Sequence, residues 1–335
     1  MYRTSRRFLI ILIVVFTATV IFLAGCASAT QLPAAEDAAT PEPTAAPTDV
    51  PEEPAPTEPK PTEAQPTEPP PTEPPPTQPP PTEPPPQEEP DIPPIPAEPM
   101  TIEFEAADGQ GLVGTYYPAA VNPAPAVVLM HWAPGDQCDW RAVAPWLQNR
   151  GVEIECAAAQ EGPWLDASWF PPLGESESYA VFTFTFRGCE GGCANFQPDG
   201  WFLDAKAAME TIVRLPGVDT TRVAAIGASI GADGAIDGCE GGCLGALSLS
   251  PGNYLGLSYS QEVDRLGSVE PPVAAICLAA EGDGDSADTC SAASGDNYGV
   301  IIYPGNDHGV ELINPDSEPD VLELILDFLQ HTLGS

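Results

Sequence analysis

One serine lies in a glycine-flanked turn that could make it a nucleophile. Residues 223–231 read Val-Ala-Ala-Ile-Gly-Ala-Ser-Ile-Gly, so an apolar run leads into Gly-x-Ser-x-Gly and small residues follow. This pattern is typical of a nucleophile elbow, a sharp strand-to-helix turn that exposes a serine hydroxyl at the edge of a sheet. Gly227 and Gly231 leave room where strand and helix nearly touch. Ser229 is therefore the candidate nucleophile.

A candidate acid and a candidate base follow this serine in the chain. Asp283 and Asp285 come just after an apolar run at 273–279. His308 comes after a second apolar run, at 299–303. Such a histidine could take the serine proton and return it to a leaving group, while an aspartate orients the imidazole and stabilises its cation. The residues indicate nucleophilic catalysis, and either aspartate could be the acid.

Strands and helices alternate along the part of the chain that must position these residues. This alternation predicts an α/β domain with about eight strands in a mostly parallel sheet and helices on both faces. Sites in such sheets lie outside the carboxyl ends of the strands, where all three candidate groups are expected. After a β-rich start at 101–117, the expected strands are 126–130, 179–186, 222–227, 244–249, 273–279 and 299–303, and the expected helices are 140–150, 202–215, 229–237 and 319–332.

The order Ser…Asp…His, each after a strand-like run, resembles the α/β-hydrolase superfamily, near its dienelactone hydrolase and small-esterase branch. The resemblance covers about residues 100–335. It implies a serine hydrolase that cleaves small carboxylic esters through an acyl-enzyme, without a cofactor or a metal. The family spacing favours Asp283 over Asp285 as the acid. Only residues 250–272 stand where many relatives carry a large lid, so the resemblance implies an open site.

A second part of the resemblance concerns the oxyanion hole. Residues 127–132, Val-Val-Leu-Met-His-Trp, resemble the strand and turn that supply half of this hole in the family. The family usually has glycine where Trp132 stands, but a backbone N–H is still available there. The backbone N–H groups of Trp132 and Ile230 are therefore the expected oxyanion donors. His131 is expected to shape this turn rather than to act as a rival base.

The first 26 residues resemble a bacterial lipoprotein signal peptide. Arginines precede an apolar run, and Leu23-Ala24-Gly25 precedes Cys26. A basic segment, an apolar segment and small residues at the cleavage site are typical of export signals. The resemblance implies cleavage before Cys26, lipidation of its thiol, and an extracytoplasmic protein anchored to the cell membrane. An uncleaved membrane anchor is the alternative.

Residues 27–99 are predicted to be a disordered linker before a catalytic domain at 100–335. Within it, 67–86 repeats Thr-(Glu/Gln)-Pro-Pro-Pro four times. Dense proline and few apolar residues cannot build a core. An extended polyproline chain rises about 3.1 Å per residue, so the linker could hold the domain well away from a membrane.

Eight cysteines follow Cys26, and an even number in an exported domain predicts disulfides. Sequence neighbours suggest the pairs Cys138–Cys156, Cys189–Cys193, Cys239–Cys243 and Cys277–Cys290. The repeated Cys-Glu-Gly-Gly-Cys segments could alternatively offer four thiolates to zinc, but disulfide-closed loops are favoured outside the cell.

The charge of the chain excludes some partners. Residues 100–335 contain 34 acidic residues against seven lysines and arginines. Such a surface makes nucleic acid an improbable partner. The expected partners are a small ester substrate and, through the lipid at Cys26, a membrane. Two other functions stay open on this fold: a non-catalytic surface or binding lipoprotein, and a peptidase or thioesterase.

Overall fold

A computed structural model describes residues 95–152, 156 and 165–334. The predicted signal peptide, including Cys26, and most of the predicted linker lie outside these residues. Among the residues that are described, no helix is long and apolar enough to cross a membrane.

Eight strands form one sheet in the order β1-β2-β4-β3-β5-β6-β7-β8. Strand β2 is antiparallel to β1 and β4, and every other pair of neighbours is parallel. This arrangement confirms the predicted α/β-hydrolase fold class. The strands are β1 Met100–Glu105, β2 Gly111–Tyr117, β3 Ala124–Met130, β4 Ala180–Phe184, β5 Val218–Ala228, β6 Cys243–Leu249, β7 Ala274–Ala280 and β8 Tyr298–Tyr303.

Helices cover both faces of the sheet, as predicted, because the central strands are apolar on both sides. The side chains of β3 alternate between two cores: Val128 and Met130 pack with α2 and α3, while Val127 and Leu129 pack with α1 and α6. The helices are α1 Val143–Gln148, α2 Pro198–Ile212, α3 Ile230–Gly238, α4 Tyr259–Gly267, α5 Gly284–Ala292 and α6 Val321–Leu333.

Two of these helices were not expected. Helix α4 lies in the short segment between β6 and β7, and its nine residues form the one helix of that segment, so this described segment holds no large lid. Helix α5 follows Asp283 directly, in a stretch that the sequence indicated as a loop. Its Cys290 is bonded to Cys277 on β7, which holds this small, polar helix against the sheet.

The cysteines form the four predicted disulfides: Cys138–Cys156, Cys189–Cys193, Cys239–Cys243 and Cys277–Cys290. The alternative of a four-thiolate zinc site is wrong, because both Cys-Glu-Gly-Gly-Cys segments close on themselves. Four disulfides indicate an oxidising environment outside the cytoplasm.

Candidate active site

Ser229 lies between β5 and α3 in a backbone conformation that is unusual for a residue with a side chain. Its φ is 53° and its ψ is −116°. A Cβ at Gly227 would overlap the carbonyl of Gly231, and a Cβ at Gly231 would overlap the carbonyl of Met130. Only glycine fits at these two positions, so the sequence forces a tight elbow. Strain of this kind is common at functional residues and costs about 1–3 kcal/mol.

The backbone of Ser229 is held on both sides. Its N–H donates to the carbonyl of Leu249 at the end of β6, over 2.8 Å. Its carbonyl accepts the N–H groups of Ala232 and Asp233, at 2.9 and 3.3 Å, in the first turn of α3. These bonds fix the backbone from which the side chain of Ser229 projects at the carboxyl edge of the sheet. Ser229 is 5% exposed.

His308 and Asp283 form a direct contact at the same edge. Nδ1 of His308 lies 2.7 Å from Oδ2 of Asp283. With Asp283 ionised, Nδ1 carries the proton and Nε2 keeps a lone pair for proton transfer. Asp285 is exposed in the first turn of α5. Of the two aspartates that the sequence offered, the structure thus brings Asp283 to the histidine.

Backbone hydrogen bonds join the loop that carries Asp283 to the loop that carries His308. The N–H of Glu281 donates to the carbonyl of Tyr303 over 2.8 Å, and the N–H of Gly282 donates to the carbonyl of Gly305 over 2.7 Å. Both loops continue neighbouring strands, β7 and β8. The contact between Asp283 and His308 is therefore built on an extension of the sheet.

Trp132 lies beside the histidine loop. Its ring stacks on that of His308 with centroids 6.2 Å apart and an interplanar angle of 24°. A Cβ on Gly309 would come within 2.9 Å of Trp132 and 3.5 Å of the Cβ of Ala228. Gly309 directly follows His308, and Ala228 directly precedes Ser229, so this contact brings the histidine loop against the end of β5 and the turn after β3.

His131 is a buried structural residue. Its Nε2 accepts the N–H of Phe186 over 2.9 Å, so Nδ1 carries the proton and donates to the carbonyl of Trp132 over 2.7 Å. Burial lowers the pKa of His131 to about 4, so the ring is neutral. Both ring nitrogens are engaged, which leaves neither to act as a base toward Ser229. His131 instead fixes the turn that carries the candidate oxyanion donor.

A carboxyl group that the sequence did not single out lies beneath the same turn. A Cβ on Gly135 would overlap the carboxyl group of Asp139. Burial and the charge of Asp136 raise the pKa of Asp139 to about 7, against hydrogen bonding from Trp132, which lowers it. No local sequence pattern predicts the raised pKa of Asp139, because it depends on burial that arises only when the turn folds.

Helix α3, which begins just after the nucleophile, carries two buried aspartates. Burial raises the pKa of Asp233 to about 7, although backbone N–H groups of the loop after β6 lower it. Burial, then the charges of Asp233 and Glu262, raise the pKa of Asp237 to about 9. Both carboxyls therefore hold a proton more tightly in the folded chain than in the unfolded chain.

These raised pKa values predict that the domain is more stable in mild acid than in mild base. A group of this kind stabilises the folded state fully below its unfolded pKa, 3.8, and less as the pH rises toward its folded pKa. Hydrogen bonds and arginine partners lower the pKa values of Asp108 and Asp219 to about 2. These two groups therefore change the stability of the domain only at a pH below the range from 5 to 8.5. We expect a higher melting temperature at pH 5 than at pH 8.5.

Thermal unfolding followed by circular dichroism at the two pH values tests this expectation. Asp237→Asn should remove much of the difference by raising the melting temperature at pH 8.5, because the amide does not ionise. Asp296→Asn, at an exposed position, is the matched control and should leave the difference unchanged. A melting temperature that rises from pH 5 to pH 8.5 in the unmodified domain would contradict the assignment.

The described part of the chain contains no group of three or more histidine, cysteine, aspartate or glutamate side chains that could hold a metal ion.

Comparison with known proteins gives matches to solved structures only. The sequence matches no protein-family model. It matches no curated protein either.

Three of the structural matches are to proteins described as hydrolases or esterases. The esterase Pf2001 of Pyrococcus furiosus has 16% identity and a TM-score of 0.48, and the match covers 71% of this chain and 94% of the esterase. The α/β hydrolase GrgF of Penicillium sp. sh18 has 14% identity and a TM-score of 0.49, covering 71% and 100%. An acetyl xylan esterase of Paenibacillus sp. R4 has 15% identity and a TM-score of 0.45, covering 70% and 84%.

Proposed function

We propose that this chain is a serine hydrolase that cleaves small carboxylic esters, with Ser229 as nucleophile, His308 as general base and acid, and Asp283 as the residue that orients His308. The observation that carries the proposal is the 2.7 Å contact between His308 and Asp283, at the same sheet edge as the strained Ser229. A histidine held by a carboxylate next to an elbow serine is the arrangement that activates a hydroxyl group.

The reaction would proceed in two acyl transfers. Oγ of Ser229 attacks the ester carbonyl carbon while Nε2 of His308 takes the hydroxyl proton. The tetrahedral intermediate then expels the alcohol, which leaves with the proton from His308, and the acyl group stays on Ser229. Water attacks this acyl-enzyme, again giving its proton to His308, and the carboxylic acid leaves as Ser229 is regenerated. Asp283 stabilises the imidazolium that forms in each step.

The oxyanion of each tetrahedral intermediate needs hydrogen-bond donors. Ile230 is the first residue of α3, so its N–H is among those that have no partner within the helix, at the positive end of the helix dipole. The backbone N–H of Trp132 is the second donor that we propose, in a turn whose carbonyl His131 holds in place. This N–H bonds to the carboxyl group of Asp139 in the structure, so it has to turn from that carboxyl to the oxyanion during the reaction. In known enzymes, one donor of this kind contributes about 2.7–4 kcal/mol to transition-state stabilisation.

Two features favour small, uncharged esters as substrates. The described segment between β6 and β7 holds α4 alone, so this segment does not supply a large cover that a long acyl chain would pack against. The excess of acidic residues in 100–335 repels anionic polymers.

Hydrolysis of p-nitrophenyl acetate and butyrate by the disulfide-bonded domain tests the proposal. We expect turnover of both esters, and faster turnover than of the matching p-nitroanilide or of an acetyl thioester. A faster anilide or thioester reaction would favour the peptidase or thioesterase alternative. No turnover, together with a ligand-induced rise in melting temperature, would favour a binding protein on the same scaffold.

We further propose that Cys26 is lipidated and tethers the domain to the outside of the cell membrane. Support comes from the apolar run that precedes Leu23-Ala24-Gly25-Cys26, and from the four disulfides, which suit an exported domain. We expect Cys26→Ser to lack the lipid and to keep its signal peptide, since the thiol that is modified before cleavage is lost. Phase separation in detergent and mass spectrometry measure this. An unmodified Cys26 in the mature, membrane-bound protein would contradict the proposal, and Ser28→Ala is the matched control.

A further inference from the structure

Ser250 is a buried serine outside the candidate triad. It follows β6, which lies between β5 and β7 in the sheet. Strand β5 leads to Ser229 and β7 leads to Asp283, so Ser250 lies at the carboxyl edge between the candidate nucleophile and the candidate acid. It has no solvent exposure.

The side chain of Ser250 contacts the loop of the candidate base. Its Oγ accepts the backbone N–H of Gly309, the residue after His308, over 3.0 Å. Gly309 is enclosed by Trp132 and Ala228, and its N–H is buried. A buried N–H that loses its acceptor costs about 1–3 kcal/mol, so this bond resists displacement of the loop.

Backbone hydrogen bonds on either side of Ser250 connect it to Ser229 and to β7, the strand that leads to Asp283. The carbonyl of Leu249 accepts the N–H of Ser229 over 2.8 Å, and the N–H of Ser250 donates to the carbonyl of Leu278 on β7, also over 2.8 Å. Two hydrogen bonds and one peptide linkage therefore join Ser229 to the residue that follows His308.

The conformation of Ser250 argues that its hydroxyl group matters. Its φ is 59°, in the left-handed region, where glycine is the residue with the least strain. Glycine at this position would keep the backbone path but would leave the N–H of Gly309 without an acceptor. The chain instead has a strained residue whose Oγ reaches the histidine loop.

A second anchor keeps the loop after Ser250 from relaxing. The carboxyl group of Asp233 accepts the N–H of Gly252 at 3.3 Å and the N–H of Tyr254. Asp233 lies one turn after Ser229 in α3 and is 1% exposed. The loop that begins at Ser250 is therefore fixed to the same helix that begins at the nucleophile.

We propose that Ser250 is a positioning residue, which sets the placement of His308 relative to Ser229 through its hydrogen bond to Gly309. The proposal rests on the proposed function, since it assigns Ser250 a part in the same hydrolysis. Ser250 does not touch the reacting atoms, and it acts through the loop that carries the base.

Two substitutions separate positioning from stability. Ser250→Ala removes Oγ and keeps the strain, whereas Ser250→Gly removes both. We expect kcat for p-nitrophenyl acetate to fall about 10- to 100-fold in both variants, since small misplacements of catalytic groups have effects of this size. KM should stay within about twofold of the unmodified value, because no substrate contact is lost. The glycine variant should melt at a higher temperature than the alanine variant and still be equally slow.

Ser248→Ala is the matched control on the same strand. Ser248 is also buried, but its Oγ donates to the carbonyl of Ala232 on α3 over 2.9 Å, whereas Oγ of Ser250 accepts from the histidine loop. This variant should lose stability while its kcat changes little. A Ser250→Ala variant that is folded and has a kcat within twofold of the unmodified domain would overturn the positioning role. An unmodified domain that hydrolyses no ester would instead overturn the proposed function, so the two failures are distinguishable.

Discussion

Ser229→Ala is expected to lower kcat for ester hydrolysis by about 10⁴-fold or more, because removal of a catalytic serine leaves only the oxyanion donors and substrate binding. The measurement is the initial rate of p-nitrophenyl butyrate hydrolysis at saturating substrate. The structure adds a second expectation. Since φ of Ser229 is 53°, Ser229→Gly should be equally inactive but should melt at a higher temperature than Ser229→Ala.

The exposed Ser291 on α5 provides the control for this result. Ser291→Ala should keep both the activity and the melting temperature of the unmodified domain. A Ser229→Ala variant that retains more than about a tenth of the activity would contradict the role of Ser229, since loss of a true nucleophile costs orders of magnitude.

Asp283→Asn is expected to lower kcat by about 10⁴-fold, the effect known for an amide in place of the acid of a serine triad. The amide keeps the size of the side chain but can present its NH₂ group to Nδ1 of His308, which then takes the wrong tautomer. Asp285→Asn should stay within about twofold of the unmodified rate, because Asp285 is exposed in α5 and makes no such contact in the described structure.

These two variants are matched, since both change a carboxylate to an amide within three residues. The initial rates of both, measured across pH 5–9, separate the alternatives that the sequence left open. If Asp285→Asn were the slower variant, His308 would have to change partner on substrate binding. Equal, small effects of both substitutions would contradict an aspartate-assisted histidine at this site.

The sequence predicts the sheet well because most of its strands are uninterrupted apolar runs. Parallel strands that are buried on both faces require such runs, and turns that contain glycine or proline separate them. Helix α4 was missed although Tyr259, Val263 and Leu266 have helical spacing and are buried in the structure. Helix α5 could not be read from its small, polar residues, because its place depends on the disulfide between Cys290 and Cys277.

The sequence predicts a site residue when a local motif is required at that residue. It does not predict a residue whose role depends on a tertiary contact. Gly-x-Ser-x-Gly marks Ser229 because the elbow needs glycine at two positions of close approach. The choice between Asp283 and Asp285 rests on a contact with a histidine 25 residues away. The hydrogen bond from Gly309 to Ser250 joins residues 59 positions apart, and only the position of Ser250 after a strand-like run could have suggested it.

Covalent labelling with a fluorophosphonate, followed by peptide mass mapping, tests most directly whether Ser229 is an activated nucleophile. The reagent reacts with a serine whose proton a neighbouring base can take, and it needs no knowledge of the natural substrate. We expect a single adduct, on the peptide that contains Ser229, and no adduct in Ser229→Ala. An unlabelled, folded domain, or an adduct that persists in Ser229→Ala, would contradict it.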